Sequence, residues 1–137
     1  MAITREVSQM DMINLAFLGD AVYELMIRKS VIHLNRRVED LHLIVIDHVS
    51  ARAQSRDLHL IEELLTDEEK SIVRRARNKH LKAPKNCSPR DYARATGLEA
   101  LIGALYLSED IERLKYLFDQ ILKRRGDDFG YNRNQSS

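Results

Sequence analysis

The chain has 137 residues, 44% of them hydrophobic and 31% charged, and its formal net charge is +1. This length fits one domain, and no apolar run approaches the ~18 residues of a membrane span, so we expect neither several domains nor a membrane protein. The single cysteine, Cys87, excludes an internal disulfide and a CxxC metal site, and it predicts a cytoplasmic location. The N-terminus has no basic patch before an apolar stretch, so no signal peptide is expected.

The first half of the chain predicts helices. Two prolines and five glycines are few, strand signals are weak, and apolar residues recur every three or four positions, which is typical of an all-α fold. Within 14–24, NLAFLGDAVYE, Asp20 is a charge in a stretch that otherwise suits a buried helix. The spacing predicts helices from about Met10 to Lys29, from Glu39 to Arg56, and from Leu58 to Leu64.

The second half carries clear helix-start signals. Thr66 and Glu69 form a predicted capping box for a helix that ends near Lys79. After a loop at 80–87, Ser88 and Pro89 predict the start of a helix that reaches Leu107. We expect Ser108 to cap a last helix that ends near Arg125, and the polar tail, 126–137, to be disordered.

The basic side chains are concentrated in one part of the chain. Residues 70–94 carry nine basic and one acidic side chains, whereas the segments before and after are net acidic. This pattern favours an anionic partner, although a solvated helix face and loop explain it equally well. Arginine and lysine at a helix end and on a loop suit the phosphates of a duplex that is read by shape. The candidate contacts are Arg77, Asn78, Lys79, Lys82 and Lys85.

Two carboxylates stand in otherwise apolar stretches. Asp20 follows Gly19, and Glu99 precedes Gly103 by four residues. Because a helical glycine costs ~1 kcal/mol relative to alanine, each glycine indicates a close helix approach that would bring the two acids together. A basic partner, protonation or a metal ion must then neutralise them, and Mg²⁺ suits one or two carboxylates plus water. The alternative is that each acid lies at a helix rim or pairs with an arginine.

These stretches resemble the signatures of a known family. FLGDAVYE, 17–24, resembles the signature helix of the ribonuclease III domain, and LEALIGALYL, 98–107, resembles its second signature. VSARAQ, 49–54, and RARNKHLKAPKN, 75–86, resemble segments of the Mini-ribonuclease III branch. Because the sequence ends soon after the part that resembles the catalytic domain, we expect no double-stranded RNA-binding domain. The match covers about residues 12–122 and assigns 1–125 to one catalytic domain.

The resemblance implies an all-helical homodimer that hydrolyses double-stranded RNA with Mg²⁺. It implies 5′-phosphate and 3′-hydroxyl products and a role in 23S ribosomal RNA maturation. Without an accessory RNA-binding domain, affinity for RNA is expected to be modest, and a ribosomal protein is a candidate scaffold that delivers the substrate. By this resemblance Asp20 and Glu99 are the catalytic and metal-binding acids. The larger enzymes of the family place two further acids where this chain has Ala16 and Thr96. Two carboxylates suit one Mg²⁺ ion with several waters, and Thr96 is a candidate donor to one of them.

Two other functions remain open from the sequence. The first is a non-catalytic helical RNA-binding or ribosome-assembly factor that kept the fold. The second is a helical interaction module whose residues 70–94 bind an acidic protein. Glu24 is a further candidate acid, since it shares a helix face with Asp20, but it lies four residues before Arg28 and is expected to pair with it.

Overall fold

Seven α-helices and two short 3₁₀ turns make up residues 2–126, the part of the chain that the computed structural model describes. No strand occurs in this part, so the predicted all-α fold is confirmed. None of its helices has the length and apolar character needed to cross a membrane. The helices are α1 (Arg5–Ser8), α2 (Met12–Val31), α3 (Val38–Val49), α4 (Ala51–Ile61), α5 (Asp67–Arg77), α6 (Pro89–Leu107) and α7 (Ile111–Arg125).

Helix α6 is the centre of the fold. It packs against α2, α4, α5 and α7, and eleven of its nineteen residues are buried. A helix that is apolar on every side is expected at such a central position. The Ser88 hydroxyl accepts a hydrogen bond from the Asp91 backbone N–H at 2.9 Å, and Pro89 is the first helical residue, so the predicted start is confirmed.

The backbones of α2 and α6 touch where they cross. A Cβ atom added at Gly19 would lie 1.7 Å from the Glu99 carbonyl oxygen, and one added at Gly103 would lie 2.0 Å from the Leu15 carbonyl oxygen. Neither position has room for any side chain, which is the close approach that the two glycines predict. The crossing fixes the relative position of Asp20 and Glu99.

The predicted helix from Glu39 to Arg56 is wrong, because the chain breaks at Ser50. This residue is extended, with φ −64° and ψ 155°, and its hydroxyl accepts from the Ala53 N–H at 3.2 Å. Ser50 therefore ends α3 and starts α4 in a new direction. The segment contains no proline or glycine, so its apolar spacing gave no sign of the break. Helix α4 continues to Ile61, so the separate helix predicted from Leu58 to Leu64 is also wrong.

The predicted cap of the last helix is wrong by two residues. Ser108 ends α6, and its hydroxyl accepts from the Thr4 N–H at 3.0 Å. Glu109 has a left-handed φ of 59°, and Asp110 caps α7 through the Arg113 N–H. Helix α7 ends at Arg125, as predicted, and Gly126 follows with φ 72°. The tail predicted to be disordered lies outside the described residues beyond Gly126.

Candidate active site

The structure brings Asp20 and Glu99 together. Asp20 lies on an exposed face of α2 and Glu99 is half-buried on α6, and their carboxyl groups are close enough to share a hydrogen bond. Burial, followed by the hydrogen bond and the charge of Asp20, raises the pKa of Glu99 to about 8. Near neutral pH the pair thus holds a proton unless a cation takes its place.

The structure removes one of the three ways to neutralise these acids, which are a basic partner, protonation and a metal ion. Within residues 2–126 no ion pair joins Asp20 or Glu99 to a basic side chain. Protonation and a metal ion are the two options left for neutralising the pair. Two hard carboxylate oxygen donors beside an exposed face fit a Mg²⁺ ion that keeps several waters. No cluster of three or more histidine, cysteine, aspartate or glutamate side chains suited to a metal occurs in the described chain.

Gln54 is a third polar side chain at the site. It lies in the first turns of α4, is only 2% exposed, and faces the Glu99 carboxyl, whose pKa it lowers. Its amide nitrogen, Nε2, is buried and has no hydrogen-bond partner among the described residues. Gln54 was not predicted as a site residue from the sequence, because a lone glutamine has no charge signal. The VSARAQ segment is the one indication that the sequence offers.

A buried hydrogen bond ties α2 to α4 close to the site. Tyr23, three residues after Asp20, is fully buried, and its hydroxyl donates to an Asp57 carboxylate oxygen at 2.6 Å. Arg125, at the end of α7, lies 3.5 Å from the other oxygen of Asp57. Burial raises the pKa of Asp57, and the hydroxyl and the guanidinium oppose that rise. The helices that carry Asp20 and Gln54 are therefore held together by a shared polar contact.

Two secondary candidates have other roles. Glu24 forms the expected ion pair with Arg28, at 2.8 Å, and does not join the two acids. The Thr96 hydroxyl donates to the Tyr92 carbonyl oxygen at 2.9 Å, and the side chain is buried. Its proton is used within α6 in this structure, and donation to a metal-bound water, which would require the hydroxyl to turn away from Tyr92, stays a prediction. Ala16 is buried in the core.

The basic segment, defined as residues 74–86, covers the end of α5 and the loop after it. Helix α5 ends at Arg77, two residues before the predicted end. Within the segment, His80 and Asn86 have left-handed φ angles of 53° and 68°. Lys79 lies 3.9 Å from the Asp11 carboxylate, an exposed pair. The five predicted RNA-binding residues are all exposed, namely Arg77, Asn78, Lys79, Lys82 and Lys85.

Fold and site together define an all-helical domain in which two acids meet at a glycine crossing. The family model of the Ribonuclease III domain matches residues 13–110, and the chain belongs to the ribonuclease III family. The Mini-ribonuclease 3 of Thermoanaerobacter sp. is 48% identical over 77% of this chain and 75% of its own length. The Mini-ribonuclease 3 of Clostridium tetani is 40% identical over 86% of this chain and 80% of its own length.

A solved structure agrees with these sequence relatives. The crystal structure of a protein from Fusobacterium nucleatum superposes with a TM-score of 0.80 and 36% identity, and the match covers 88% of this chain and 98% of that one. The resemblance to the Mini-ribonuclease III branch is therefore confirmed. The chain is an endoribonuclease of the ribonuclease III type.

Proposed function

We propose that this endoribonuclease hydrolyses double-stranded RNA with Mg²⁺ held by Asp20 and Glu99. The observation that carries the proposal is the meeting of the two carboxyl groups across the α2–α6 crossing. Asp20 is exposed, so a phosphate can reach it, whereas Glu99 is half-buried and held by the central helix. The proposed RNA-binding side chains are exposed, and all of them except Asn78 are basic.

Each of the two acids would contribute a carboxylate oxygen to the cation. Glu99 provides a half-buried carboxylate whose pKa is raised by burial and then by the hydrogen bond and the charge of Asp20. Asp20 provides a second oxygen donor on the substrate side. When bound, Mg²⁺ supplies a Lewis acid that neutralises phosphate charge and makes water a better nucleophile. Water adds to phosphorus, the P–O3′ bond breaks, and the proton goes to O3′, which leaves 5′-phosphate and 3′-hydroxyl ends.

The basic segment supplies the attraction for the RNA backbone. No phenylalanine, tyrosine or tryptophan lies within the basic segment, so it offers no aromatic ring on which bases could stack. Its five candidate contacts are all exposed, namely Arg77, Asn78, Lys79, Lys82 and Lys85. Contacts of this kind bind phosphates and position a duplex without reading its sequence. A-form RNA is recognised by shape and by backbone and 2′-hydroxyl groups, so it is the duplex that the segment suits.

We also propose that the enzyme acts as a homodimer through the exposed apolar residues of α2 and α3. Phe17 is 83% exposed, Leu25 62% and Leu43 63%, and α2 packs beside α3. Large apolar side chains that stay exposed on neighbouring helices are candidates for an interaction surface. Phe17 is three residues from Asp20, so a second copy there would lie next to the first active site. Sedimentation equilibrium of Phe17→Ser, with Tyr106→Ser as a control at an exposed aromatic residue of α6, tests the assignment, and a dimer that survives Phe17→Ser contradicts it.

The natural duplex that we propose is a 23S ribosomal RNA precursor, with a ribosomal protein as scaffold and the cytoplasm as location. Support comes from the branch to which the chain is similar and from the single cysteine, which suits a reducing compartment. Mapping the ends of 23S RNA in cells that carry wild-type or Asp20→Asn protein tests the substrate. Unprocessed ends confined to the variant are expected, and identical ends in both strains contradict this substrate.

One cleavage experiment tests the activity. Purified protein, Asp20→Asn and Glu99→Gln are incubated with a long RNA duplex, with Mg²⁺ or with a chelator. Because a catalytic metal contributes several kcal/mol, we expect each variant to lose about 10³-fold in rate at saturating RNA while RNA binding persists. Binding by the wild type without cleavage indicates an RNA-binding factor instead. No binding at all indicates a protein-interaction module.

A further inference from the structure

Gln54 has an energetic cost that packing does not explain. Its side chain is 2% exposed, and its Nε2 donor has no hydrogen-bond partner among the described residues. A buried amide donor without a partner destabilises a fold, and an apolar side chain of the same shape would be more stable. A polar residue that is retained at such a position points to a role in the site that it faces.

The surroundings of Glu99 indicate what that role is. Helix α4 packs against α6, and two polar side chains, Asp20 and Gln54, are near enough to the Glu99 carboxyl to shift its pKa, although Gln54 Nε2 forms no hydrogen bond to it in this structure. An ionised Asp20 has no proton to donate, whereas the Gln54 amide has N–H groups. Of these two side chains, only Gln54 can therefore donate a hydrogen bond to an ionised Glu99. The Ser50 cap fixes the start of α4 one turn before Gln54, and the Tyr23–Asp57 hydrogen bond fixes α4 against α2 three residues after it.

We propose that Gln54 is a positioning residue that donates its side-chain N–H to the Glu99 carboxylate and orients it toward the divalent cation. The inference rests on the proposed function, because it requires Glu99 to be a metal ligand. Groups that orient a ligating side chain commonly change metal affinity by about 10- to 100-fold when they are removed. Gln54 does not touch the substrate, and it acts through Glu99.

A purely structural role and a positioning role predict different results for Gln54→Leu. If the amide serves the fold, its loss lowers the thermal unfolding midpoint measured in chelator. If the amide donates to Glu99 only when that carboxylate is ionised and faces the cation, Nε2 is unpartnered in chelator, so its loss does not lower the midpoint there. The Mg²⁺ concentration needed for half of the Mg²⁺-induced shift in that midpoint then rises about tenfold.

The experiment is a Mg²⁺ titration of thermal unfolding, followed by circular dichroism, together with the Mg²⁺ dependence of cleavage. Gln54→Leu and Gln54→Met are compared with the wild type, and Gln120→Leu, at a half-buried position on α7, is the control. Both Gln54 variants are expected to need about tenfold more Mg²⁺ in both measurements, whereas the control is unchanged. An unchanged Mg²⁺ requirement in either folded variant overturns the proposal, as does failure of both variants to fold.

The wild type and Asp20→Asn separate this inference from the proposed function. A wild-type protein that shows neither cleavage nor a Mg²⁺-induced shift overturns the proposed function, and the role of Gln54 falls with it. A wild-type protein that shows both, an Asp20→Asn variant that shows neither, and Gln54 variants like the wild type overturn the inference alone.

Discussion

The α2–α6 crossing and the basic segment contribute to the proposed activity in different ways. At the crossing, two glycines leave no space for a methyl group, and the carboxyl groups of Asp20 and Glu99 meet in one geometry. In the basic segment, the side chains are exposed and their charge matters more than their exact position. The difference teaches that a metal site needs fixed distances, whereas attraction of a polyanion tolerates movement.

The crossing is broken most directly by Gly19→Ala. The added Cβ would lie 1.7 Å from the Glu99 carbonyl oxygen, which is main chain and cannot rotate away. We expect the free energy of unfolding to fall by ~3 kcal/mol or more, even though alanine favours the helix itself. Chemical denaturation measures the loss, and cleavage by the remaining folded protein should fall because the acids are forced apart.

Gly97→Ala is the matched control for that change. Gly97 also lies on α6, but its added Cβ would meet the Val73 side chain at 3.0 Å and the Arg77 side chain at 3.1 Å, and the nearest main-chain atom, the Val73 carbonyl oxygen, at 3.2 Å rather than 1.7 Å. Side chains can shift where main chain cannot, so the net effect should stay within about 1 kcal/mol. Equal destabilisation by both substitutions would show that the α2–α6 contact is not special.

The basic segment is tested by the triple change of Lys79, Lys82 and Lys85 to alanine. We expect KM to rise about tenfold with turnover changed less, and the slope of log KM against log salt to flatten by about one unit for each phosphate that the variant no longer binds. Stability should change little, because the single ion pair of this group, Lys79 with Asp11, is exposed. Cleavage rates over a range of RNA and salt concentrations provide the measurement.

A charge-matched control removes three lysines elsewhere. Lys29, Lys115 and Lys123 lie outside the basic segment, and none of them is buried. Changing them to alanine lowers the net charge equally, so it should move KM by less than the triple change in the segment. Equal effects would mean that total charge, and not this surface, attracts RNA. A collapse of turnover in the segment variant would mean that the loop takes part in the chemistry.

The smallest effect that we expect is a change in stability at the start of α5, the helix whose other end leads into the basic segment. Burial alone would raise the pKa of Glu69, but hydrogen bonds from Arg113, at 2.8 and 2.9 Å, and from the Thr66 backbone lower it below its usual value. Its contribution to stability is therefore present above about pH 4.5 and is lost as the pH falls below that value.

Glu69→Gln should lower the free energy of unfolding by ~1–2 kcal/mol at pH 7. The difference from the wild type should shrink as the pH falls from 5 to 3, when the wild-type carboxyl also becomes protonated. Denaturation at several pH values measures the effect, with the exposed neighbour Glu68→Gln as control. A difference that does not depend on pH would show that the ion pair with Arg113 contributes nothing through its charge.

The sequence predicts those parts of the structure that depend on local chemistry. The starts at Thr66 and Ser88 follow from capping side chains, and the crossing follows from two glycines in apolar helices. The break at Ser50 was missed, because the side-chain spacing continues through it and tertiary packing decides the direction of α4. At 108–110, two residues that favour helix caps, Ser108 and Asp110, compete, and the contact of Ser108 with Thr4 decides which one starts α7.

The candidate site divides in the same way. The two acids are recognisable as charges in apolar stretches, so Asp20 and Glu99 can be chosen from the sequence. Gln54 cannot, because its position beside Glu99 depends on the unpredicted break between α3 and α4. A neutral polar residue becomes noticeable only when its burial and its missing partner are known.

The central position of α6 has a consequence for heat tolerance. A helix enclosed by four others exchanges its amide protons with solvent only when the whole molecule opens. Glu99 lies on α6 and is therefore expected to keep its position until the whole molecule unfolds. Inactivation on warming and global melting should therefore coincide in a single transition, with no earlier temperature range in which the acids separate while the rest of the molecule stays intact.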